Sequence, residues 1–495
     1  RRLTVGPDTV VIGAGISGLV DAILLAETGR RVTVLEQHNI PGGCLQQFRR
    51  KGTTFDVGFH YMGSTEPGRP MRQMLEHLRV WDRIQVIPFP EEAAIEVRRG
   101  ARRFAYPSRF DLFRERALAT WPHQRDTVDR LVRDVDTLCA GYKWFDLRRG
   151  RTYPDPLDLK ASAGSCEDYL RSTVDDPWLR EVLGFQSFNL GLFSHEIPWV
   201  KHALAFRSNF DLTCRIDGGG GALVAALLER GKELGVTYHF RSRVASFECE
   251  GREAKAVTTA KGERFPADLF VAACHPKPIL RAVPDEAIRP VFKQRILGMK
   301  DSRGAFQVFL RLRAPLRSLG ATCVMVHDDE EEHGDPPLHT LLVTYPSAVE
   351  QQGRHGLRLE AMTYMYETPF ARWRHLPVLR RGEEYEELKA SLARRVIGII
   401  AKMAPELPDL VEDVYSATPL SAEWYTLNEH GSVFGISHDI SQQGTDRPMP
   451  RMRLRNLFFT GQSMMMPGIC GVFINAFDTC DMIRADALLF DSVAT

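Results

Sequence analysis

The chain of 495 residues carries almost no net charge and no long apolar run. Its 64 Lys and Arg residues balance 63 Asp and Glu residues, which leaves a net charge of +1. No bulk field therefore attracts nucleic acid, and we expect no nucleic-acid partner. No stretch reaches the roughly 18 uninterrupted apolar residues of a membrane-spanning helix, so none is predicted to cross a bilayer.

The chain also lacks the usual cysteine and catalytic motifs. Its nine cysteines are scattered and form no C-x-x-C pair, which favours reduced thiols in the cytoplasm over a disulfide framework or a zinc site. There is no G-x-S-x-G nucleophile elbow, no P-loop and no His/Cys cluster, so we expect no metal and expect a bound cofactor to carry the chemistry. The first residue is Arg rather than Met, which leaves open whether a targeting segment preceded it.

A dinucleotide-binding pattern is present near the start of the chain. Residues 9–18 read TVVIGAGISG, a short apolar strand followed by Gly13, Gly15 and Gly18 at G-x-G-x-x-G spacing. Residues 19–28 then have the composition of a helix. In this arrangement the glycines allow a tight turn, close approach of a pyrophosphate, and close packing of helix on strand. The helix N-terminus adds unpaired N–H groups that suit a diphosphate.

A carboxylate follows at the distance that a ribose-binding residue requires. A second predicted strand, residues 31–35, ends at Glu36. A carboxylate there can accept two hydrogen bonds from a ribose diol, and it repels a 2′-phosphate by roughly 4 kcal/mol at contact with an effective dielectric near 20. The pattern therefore predicts FAD or NAD rather than NADP.

The residues after Glu36 select FAD and carry a family resemblance. Gly42 and Gly43 are adjacent, and residues 55–61 read FDVGFHY. With these motifs the sequence resembles the FAD-dependent phytoene desaturases, carotenoid isomerases and retinol saturases. Cys44 stands where the broader amine-oxidase superfamily usually has Arg, and with residues 58–63 it is most similar to the retinol saturases. The change from Arg removes one expected contact, which passes to backbone or another side chain.

A second polar cradle is predicted at the other end of the chain. An apolar strand ends at Gly461 and Gln462, Gly468 and Gly471 follow, and residues 472–487 have a helical pattern. The resemblance implies that this segment holds the ribityl chain, the diphosphate and the flavin, and that the backbone at Val244 lies against the adenine. These residues complete the predicted FAD site.

Residues 217–221 (DGGGG) precede a predicted helix and could be mistaken for a second phosphate loop. No apolar strand leads into them and the third glycine of the fingerprint is missing. We therefore expect no site for a nicotinamide dinucleotide.

The predicted fold is α/β, with a discontinuous Rossmann-like FAD-binding domain and an inserted substrate domain of mixed sheet and helices. Residues 94–97 and 102–106 are expected to form a hairpin, and the strand-like segments 305–312, 338–345 and 358–366 an antiparallel sheet below the substrate. The predicted FAD-binding segments are 1–80, 216–300 and 416–495, and the predicted substrate-domain segments are 81–215 and 301–415.

Residues 166–212 combine large apolar side chains with few charges. Two interpretations stay open: a plain helical core, or a wall for an apolar substrate at a site that rests on a membrane surface. The side chains concerned are Trp178, Leu183, Phe185, Phe188, Leu190, Leu192, Phe193, Trp199, Leu204 and Phe206.

The resemblance implies an FAD-dependent oxidoreductase of a long apolar conjugated polyene, such as a carotenoid, a retinoid or a polyene lipid. The sequence leaves open saturation, desaturation or isomerisation, the electron donor or acceptor, and the oligomeric state. His60, next to a cofactor motif, is the candidate catalytic residue. One alternative is a flavin amine or amino-acid oxidase, with Trp424 and Tyr425 as an aromatic cage. Another is a flavin-containing lipid-binding protein without activity.

Overall fold

The computed structural model describes residues 8–142, 164–319, 323–345 and 357–484. Its strands are β1 (Asp8–Ile12), β2 (Arg31–Leu35), β3 (Gln47–Arg50), β4 (Thr53–Asp56), β5 (Val86–Pro88), β6 (Ile95–Arg99), β7 (Arg102–Tyr106), β8 (Cys214–Ile216), β9 (Thr237–His239), β10 (Val244–Glu250), β11 (Glu253–Thr259), β12 (Arg264–Pro266), β13 (Leu269–Ala272), β14 (Gly304–Leu312), β15 (Cys323–His327), β16 (Thr340–Thr344), β17 (Arg358–Met365), β18 (Val411–Ala417) and β19 (Leu457–Phe459).

The α-helices of these residues are α1 (Ile16–Glu27), α2 (Pro70–His77), α3 (Phe110–Thr120), α4 (Arg125–Ala140), α5 (Cys166–Thr173), α6 (Pro177–Phe185), α7 (Trp199–Ser208), α8 (Gly219–Glu233), α9 (Pro276–Ala282), α10 (Pro290–Leu297), α11 (Glu383–Ala401), α12 (Leu407–Leu410), α13 (Pro419–Thr426) and α14 (Gly468–Arg484). Among the described residues, no helix is both long enough and apolar enough to cross a membrane.

A five-stranded parallel sheet has the order β19-β13-β1-β2-β9. Its central strands are short apolar runs because both faces are covered. Helices α1, α8 and α14 pack on one face, and β10–β12 with α9 and α10 cover the other. The predicted Rossmann-like α/β fold is confirmed, whereas the division of the chain into five domain segments stays a prediction.

A second, seven-stranded sheet has the order β18-β14-β17-β16-β15-β6-β7. The predicted strands near 305–312, 338–345 and 358–366 are neighbours in it and run antiparallel, and the predicted hairpin is β6–β7. The sheet is nevertheless mixed, because β6 joins β15 in parallel. Side chains alternate across β14, so Phe306 and Val308 pack under helix α11 while Ala305 and Gln307 face the other way.

The aromatic-rich stretch forms a helical core. Helices α3–α7 bring its side chains together with the face of β6 and β7, and Phe206 makes edge-on ring contacts with Phe110 and Phe113. Within this core α7 buries His202, whose Nδ1 lies 2.9 Å from Ser187 Oγ. The core interpretation of these helices is therefore confirmed.

The buried His202 predicts how stability varies with pH. Burial lowers its pKa to about 3, whereas an unfolded histidine titrates near 6.5. Below about pH 6.5 the unfolded state therefore binds an extra proton. As the pH is lowered, the free energy of unfolding decreases by up to about 1.4 kcal/mol per pH unit. His202→Gln should reduce this slope in urea unfolding measured between about pH 4.5 and about pH 7. His123→Gln, at an exposed position, is the control, and equal slopes in wild type and His202→Gln would contradict the prediction.

Candidate functional site

A cavity of about 1470 Å³ opens where the carboxyl ends of four parallel strands meet. Gly13 follows β1, Glu36 follows β2, Ala273 follows β13 and Gly461 lies just beyond β19, and all four residues line it. This edge is where open α/β sheets bind ligands. The volume exceeds the ~300–1,000 Å³ typical of a single small-molecule site, so a dinucleotide and a second molecule fit side by side.

The structure brings the predicted site residues together at this cavity. All of them line it except Gly18, namely Gly13, Gly15, Glu36, Gly42, Gly43, Cys44, His60, Val244, Gly461, Gln462, Gly468 and Gly471. Gly18 lies behind the lining, where a Cβ would come within 2.0 Å of the Gly13 carbonyl oxygen. Its part is therefore the close packing of α1 on β1.

Gly13 and Gly15 are glycines for different reasons. Gly13 has a φ of +104°, and a Cβ there would lie 2.8 Å from the Ala273 oxygen, so the fold itself requires glycine. Gly15 has an ordinary φ of −70°, and a Cβ on it would meet nothing closer than Gly43 Cα at 4.0 Å. The space beside Gly15 belongs to the cavity, and it is the cradle that a diphosphate needs.

Glu36 is buried at the end of β2, and its carboxylate faces backbone donors. Oε2 accepts a hydrogen bond from Ala14 N at 2.7 Å, and Oε1 accepts one from His38 N at 2.7 Å. Burial raises the pKa of Glu36 despite these bonds. Each oxygen keeps a second lone pair for a ribose hydroxyl, and the Glu36 carbonyl accepts from Ser242 N, which brings Val244 alongside. The cradle at Gly15 and this carboxylate fit an adenine dinucleotide.

The terminal motif is held by two side chains that the sequence analysis missed. Asn475 Nδ2 donates to Gly461 O at 2.9 Å and to Met466 O at 2.7 Å. The buried Arg447 guanidinium donates to the carbonyls of residues 436, 437, 442, 463 and 464. Gln462 Oε1 accepts from Gly468 N at 2.9 Å, so it shapes the turn before α14. No local sequence pattern indicates that Asn475 and Arg447 bind these carbonyls.

The DGGGG run binds a carboxylate of the chain itself. Asp56 Oδ1 accepts from Gly220 N at 2.9 Å and from Gln47 Nε2 at 2.8 Å. A Cβ on Gly219 would lie 2.2 Å from Asp56 Oδ2, and one on Gly221 would lie 2.2 Å from Gln47 Oε1. The N-terminus of α8 is thus filled by Asp56, which supports the prediction that no second dinucleotide binds there.

Two residues next to the glycine motifs stay uncharged at neutral pH. Burial raises the pKa of the Cys44 thiol to about 11 and lowers the pKa of His60 to about 4, with the positive charge of Arg215 adding to the second shift. His60 Nε2 lies 3.1 Å from Met362 Sδ, and its carbonyl accepts from Arg215 Nε at 2.9 Å. His60 therefore offers the cavity a neutral imidazole.

The part of the cavity around His60 is apolar. Tyr61 lines it and donates its hydroxyl hydrogen to Asn189 Oδ1 at 3.0 Å. Of the ten large side chains named between 178 and 206, only Leu190 reaches the lining, so the interpretation as a substrate wall is wrong for the other nine. The wall is provided instead by the face of the seven-stranded sheet, the loop that contains Phe434 and the terminal motif. The side chains concerned are Leu342, Met362, Tyr364, Phe434 and Met466.

Every glutamate that lines the cavity in the described residues already has a partner. Besides Glu36, Glu386 pairs with Lys389 at 2.9 Å, Glu423 with Arg374, and Glu429 with Arg281. Tyr425 lies against the His38 ring, and its neighbour Trp424 is half exposed and outside the lining. These two side chains therefore do not form a cage beside His60.

The difference between Gly13, which the fold requires, and Gly15, which borders open cavity, gives a test of the cofactor site. Gly15→Ala should fold but lose most of its bound flavin, because its methyl group occupies the diphosphate cradle without touching the protein. Flavin per mole of purified protein, read from the visible spectrum, measures this. Gly398→Ala is the matched control, since a Cβ there meets nothing within 4 Å on helix α11; it should keep full flavin. Full flavin in Gly15→Ala would contradict this binding mode.

Comparisons with known proteins agree with this geometry. The all-trans-retinol 13,14-reductase of Danio rerio is 22% identical over 96% of this chain and 85% of its own length. That of Rattus norvegicus is 25% identical over 95% of this chain and 84% of its own length. The carotenoid 3,4-desaturase of Haloarcula japonica is 24% identical over 94% of this chain and 95% of its own length.

Solved structures share the fold. An oxidoreductase from Methanosarcina mazei superposes with a TM-score of 0.66 at 17% identity, over 96% of this chain and all of that chain. Putrescine oxidase bound to putrescine superposes with a TM-score of 0.66 at 16% identity, over 97% of this chain and 99% of that chain. The profile of flavin containing amine oxidoreductases matches residues 16–477. The chain is an FAD-dependent oxidoreductase and belongs to the flavin containing amine oxidoreductase family.

Proposed function

We propose that this enzyme acts on a long, apolar, conjugated polyene of the retinoid, carotenoid or polyene-lipid class. The observation that carries the proposal is the apolar lining around His60, together with the pairing of every lining glutamate except Glu36 with a basic side chain in the described residues. The names of the retinol reductases and the carotenoid desaturase among its relatives support it. Each buried CH₂ of such a substrate contributes about 0.8 kcal/mol, so the wall holds it without a polar anchor.

The cavity lining supports a definite arrangement for FAD. Glu36 binds the adenosine ribose and Val244 lies against the adenine. The N-terminus of α1 and the backbone around Gly15 and Gly43 hold the diphosphate, and Cys44 contributes no charge. The bound flavin takes up or supplies a hydride during the reaction. The residues in contact with FAD are Gly13, Gly15, Glu36, Gly42, Gly43, Cys44, Val244, Gly461, Gln462, Gly468 and Gly471.

The direction of the reaction follows from the redox partner rather than from the fold, since reductases and a desaturase are both among the relatives. Saturation, desaturation and flavin-assisted isomerisation therefore belong to one proposal. The cytoplasmic location of the protein and its contact with a membrane surface stay predictions.

An amine oxidase is the second candidate, and the fold of putrescine oxidase favours it. Its substrate carries an ammonium group that needs a free carboxylate or an aromatic cage. The pairing of the lining glutamates and the position of Tyr425 beside His38 speak against it in the described part of the chain.

A spectral titration tests the substrate class. Retinoids, carotenoid precursors and polyenoic acids should perturb or bleach the flavin spectrum of the oxidised or the dithionite-reduced enzyme. Putrescine and amino acids should leave both spectra unchanged, because an ammonium group loses its hydration in this cavity without gaining a partner. Turnover of an amine, with no response to any polyene, would favour the amine-oxidase candidate.

The filled N-terminus of α8 predicts that NADPH is not the direct reductant. Mixed anaerobically with NADPH, the enzyme should keep its oxidised flavin spectrum, while dithionite bleaches the same sample. Electrons then pass through oxygen, a quinone or a carrier protein. Bleaching by NADPH within seconds would show that a nicotinamide site exists.

A further inference from the structure

A second, much smaller cavity lies on the other side of His60. Its volume is about 10 Å³, close to the minimum of ~10–15 Å³ that one water molecule needs. Most of the side chains around it are polar or charged, so its chemistry suits one water molecule better than an empty apolar void. The lining residues are Asp56, Phe59, His60, Arg215, Ile216, Gly219, Thr344, Arg358 and Glu360.

Two buried polar atoms of this lining lack a hydrogen-bond partner among the described residues: His60 Nδ1 and Arg358 Nη1. Met362 Sδ can only accept, so the 3.1 Å contact assigns the proton of the neutral imidazole to His60 Nε2. His60 Nδ1 is then an acceptor, whereas Arg358 Nη1 is a donor. One water molecule that accepts from Arg358 and donates to His60 satisfies both.

The same small cavity touches a buried cluster of four charged side chains. Glu360 Oε1 accepts from Asp56 N at 2.8 Å and from Arg358 Nε at 3.1 Å, and Arg358 Nη2 lies 3.4 Å from Asp56 Oδ2. The ionisable groups that act on Glu360 are Asp56 from β4, Arg358 from its own strand and Arg215 from β8. His60, from the loop after β4, lines the same small cavity.

The protonation of Glu360 is balanced near neutral pH. Burial raises its pKa to about 7, with Asp56 adding to the rise while Arg358 and Arg215 oppose it. Glu360 therefore keeps its proton to a higher pH than an exposed glutamate, which titrates near 4.3.

We propose that Glu360, the water site and His60 form a proton relay that opens into the large cavity. The proposal rests on the proposed function, because the addition of hydrogen to a C=C bond, or its removal, moves one hydride and one proton. Bound FAD would supply or take up the hydride, so the protein must supply or take up the proton. His60 is the group that touches the substrate, and Glu360 acts only through it.

The steps balance as follows for saturation. The hydride bonds to one carbon of the double bond, and the π pair of that bond takes the Nε2 proton of His60 onto the neighbouring carbon. His60 Nδ1 receives a proton from the water, and the water receives the carboxyl proton of Glu360. Glu360 is left as carboxylate beside Arg358. Before the next turnover, His60 takes a proton from the large cavity at Nε2 and returns its Nδ1 proton through the water to Glu360. Desaturation runs the same transfers backwards, starting from His60 protonated at Nδ1 and Glu360 as carboxylate.

A first experiment needs no turnover. Infrared difference spectra of the oxidised holoenzyme between about pH 6 and about pH 8 should show the carbonyl stretch of a protonated carboxyl that disappears at the higher pH. Glu360→Gln should remove this band. Glu96→Gln is the matched control, since Glu96 is a buried sheet glutamate that pairs with Arg98 and does not line either cavity; it should retain the band.

Each outcome of the infrared experiment either supports the relay or overturns it. A band that persists in Glu360→Gln, or that is absent from the wild type, overturns the relay. If Glu360→Gln fails to fold, Glu360→Asp takes its place and should shift the frequency of the titrating band; an unshifted band overturns the relay as well.

A second experiment uses a polyene that the enzyme converts. The rate of flavin oxidation or reduction by that substrate should depend on pH near 7 in the wild type. His60→Gln should lower the rate by about 10²–10⁴-fold. Glu360→Gln should remove the pH dependence, and the double variant should be no slower than His60→Gln. An unchanged pH profile in Glu360→Gln overturns the relay. If no polyene reacts, the proposed function fails while the infrared result still decides whether Glu360 titrates.

Discussion

The carboxylate of Asp56 connects the two sheets that enclose the large cavity. It caps helix α8, which packs under the parallel sheet, through Gly220 N. It also pairs with Arg358 at the start of β17, and its own backbone N–H is bound by Glu360 two residues further along that strand. A buried guanidinium without its carboxylate is strongly unfavourable, by about 3–5 kcal/mol for a broken pair. The relative position of the two sheets, and with it the shape of the cavity, depends on this side chain.

With the sheets fixed in this way, the proposed FAD arrangement relies on backbone groups at the diphosphate. Cys44 and His60 are neutral, and the Glu36 carboxylate, which accepts from Ala14 N, is proposed to bind the ribose. In that arrangement the N–H groups and the dipole at the start of α1 face the negative charge of the diphosphate. The contact that an Arg would make at position 44 passes to the backbone in this proposal.

The sequence predicts the local parts of this site well and the distant ones poorly. Gly13, Gly15 and Glu36 lie within one strand-turn-helix-strand unit, so their spacing alone carries the geometry. Arg358 and Glu360 contact Asp56, which lies about 300 residues away in the sequence, and Arg447 binds carbonyls up to 17 residues away; no local pattern indicates any of these partners. The stretch around Phe206 shows a different limit: its composition indicates burial but cannot tell a core-facing side chain from a cavity-facing one, because both are apolar.

The polarity of the substrate site is a property of side-chain pairing rather than of the fold. Putrescine oxidase has the same architecture and carries a charged amine, so the sheets themselves do not select a polyene. In this chain the alternation of side chains along β14, β16 and β17 turns Ala305, Leu342 and Met362 toward the cavity. Each lining glutamate either pairs with a basic side chain or, like Glu36, accepts hydrogen bonds from backbone N–H groups. Freeing one of these carboxylates would give an ammonium group a partner in the cavity without changing the sheets, because the function of a fold is set by its site.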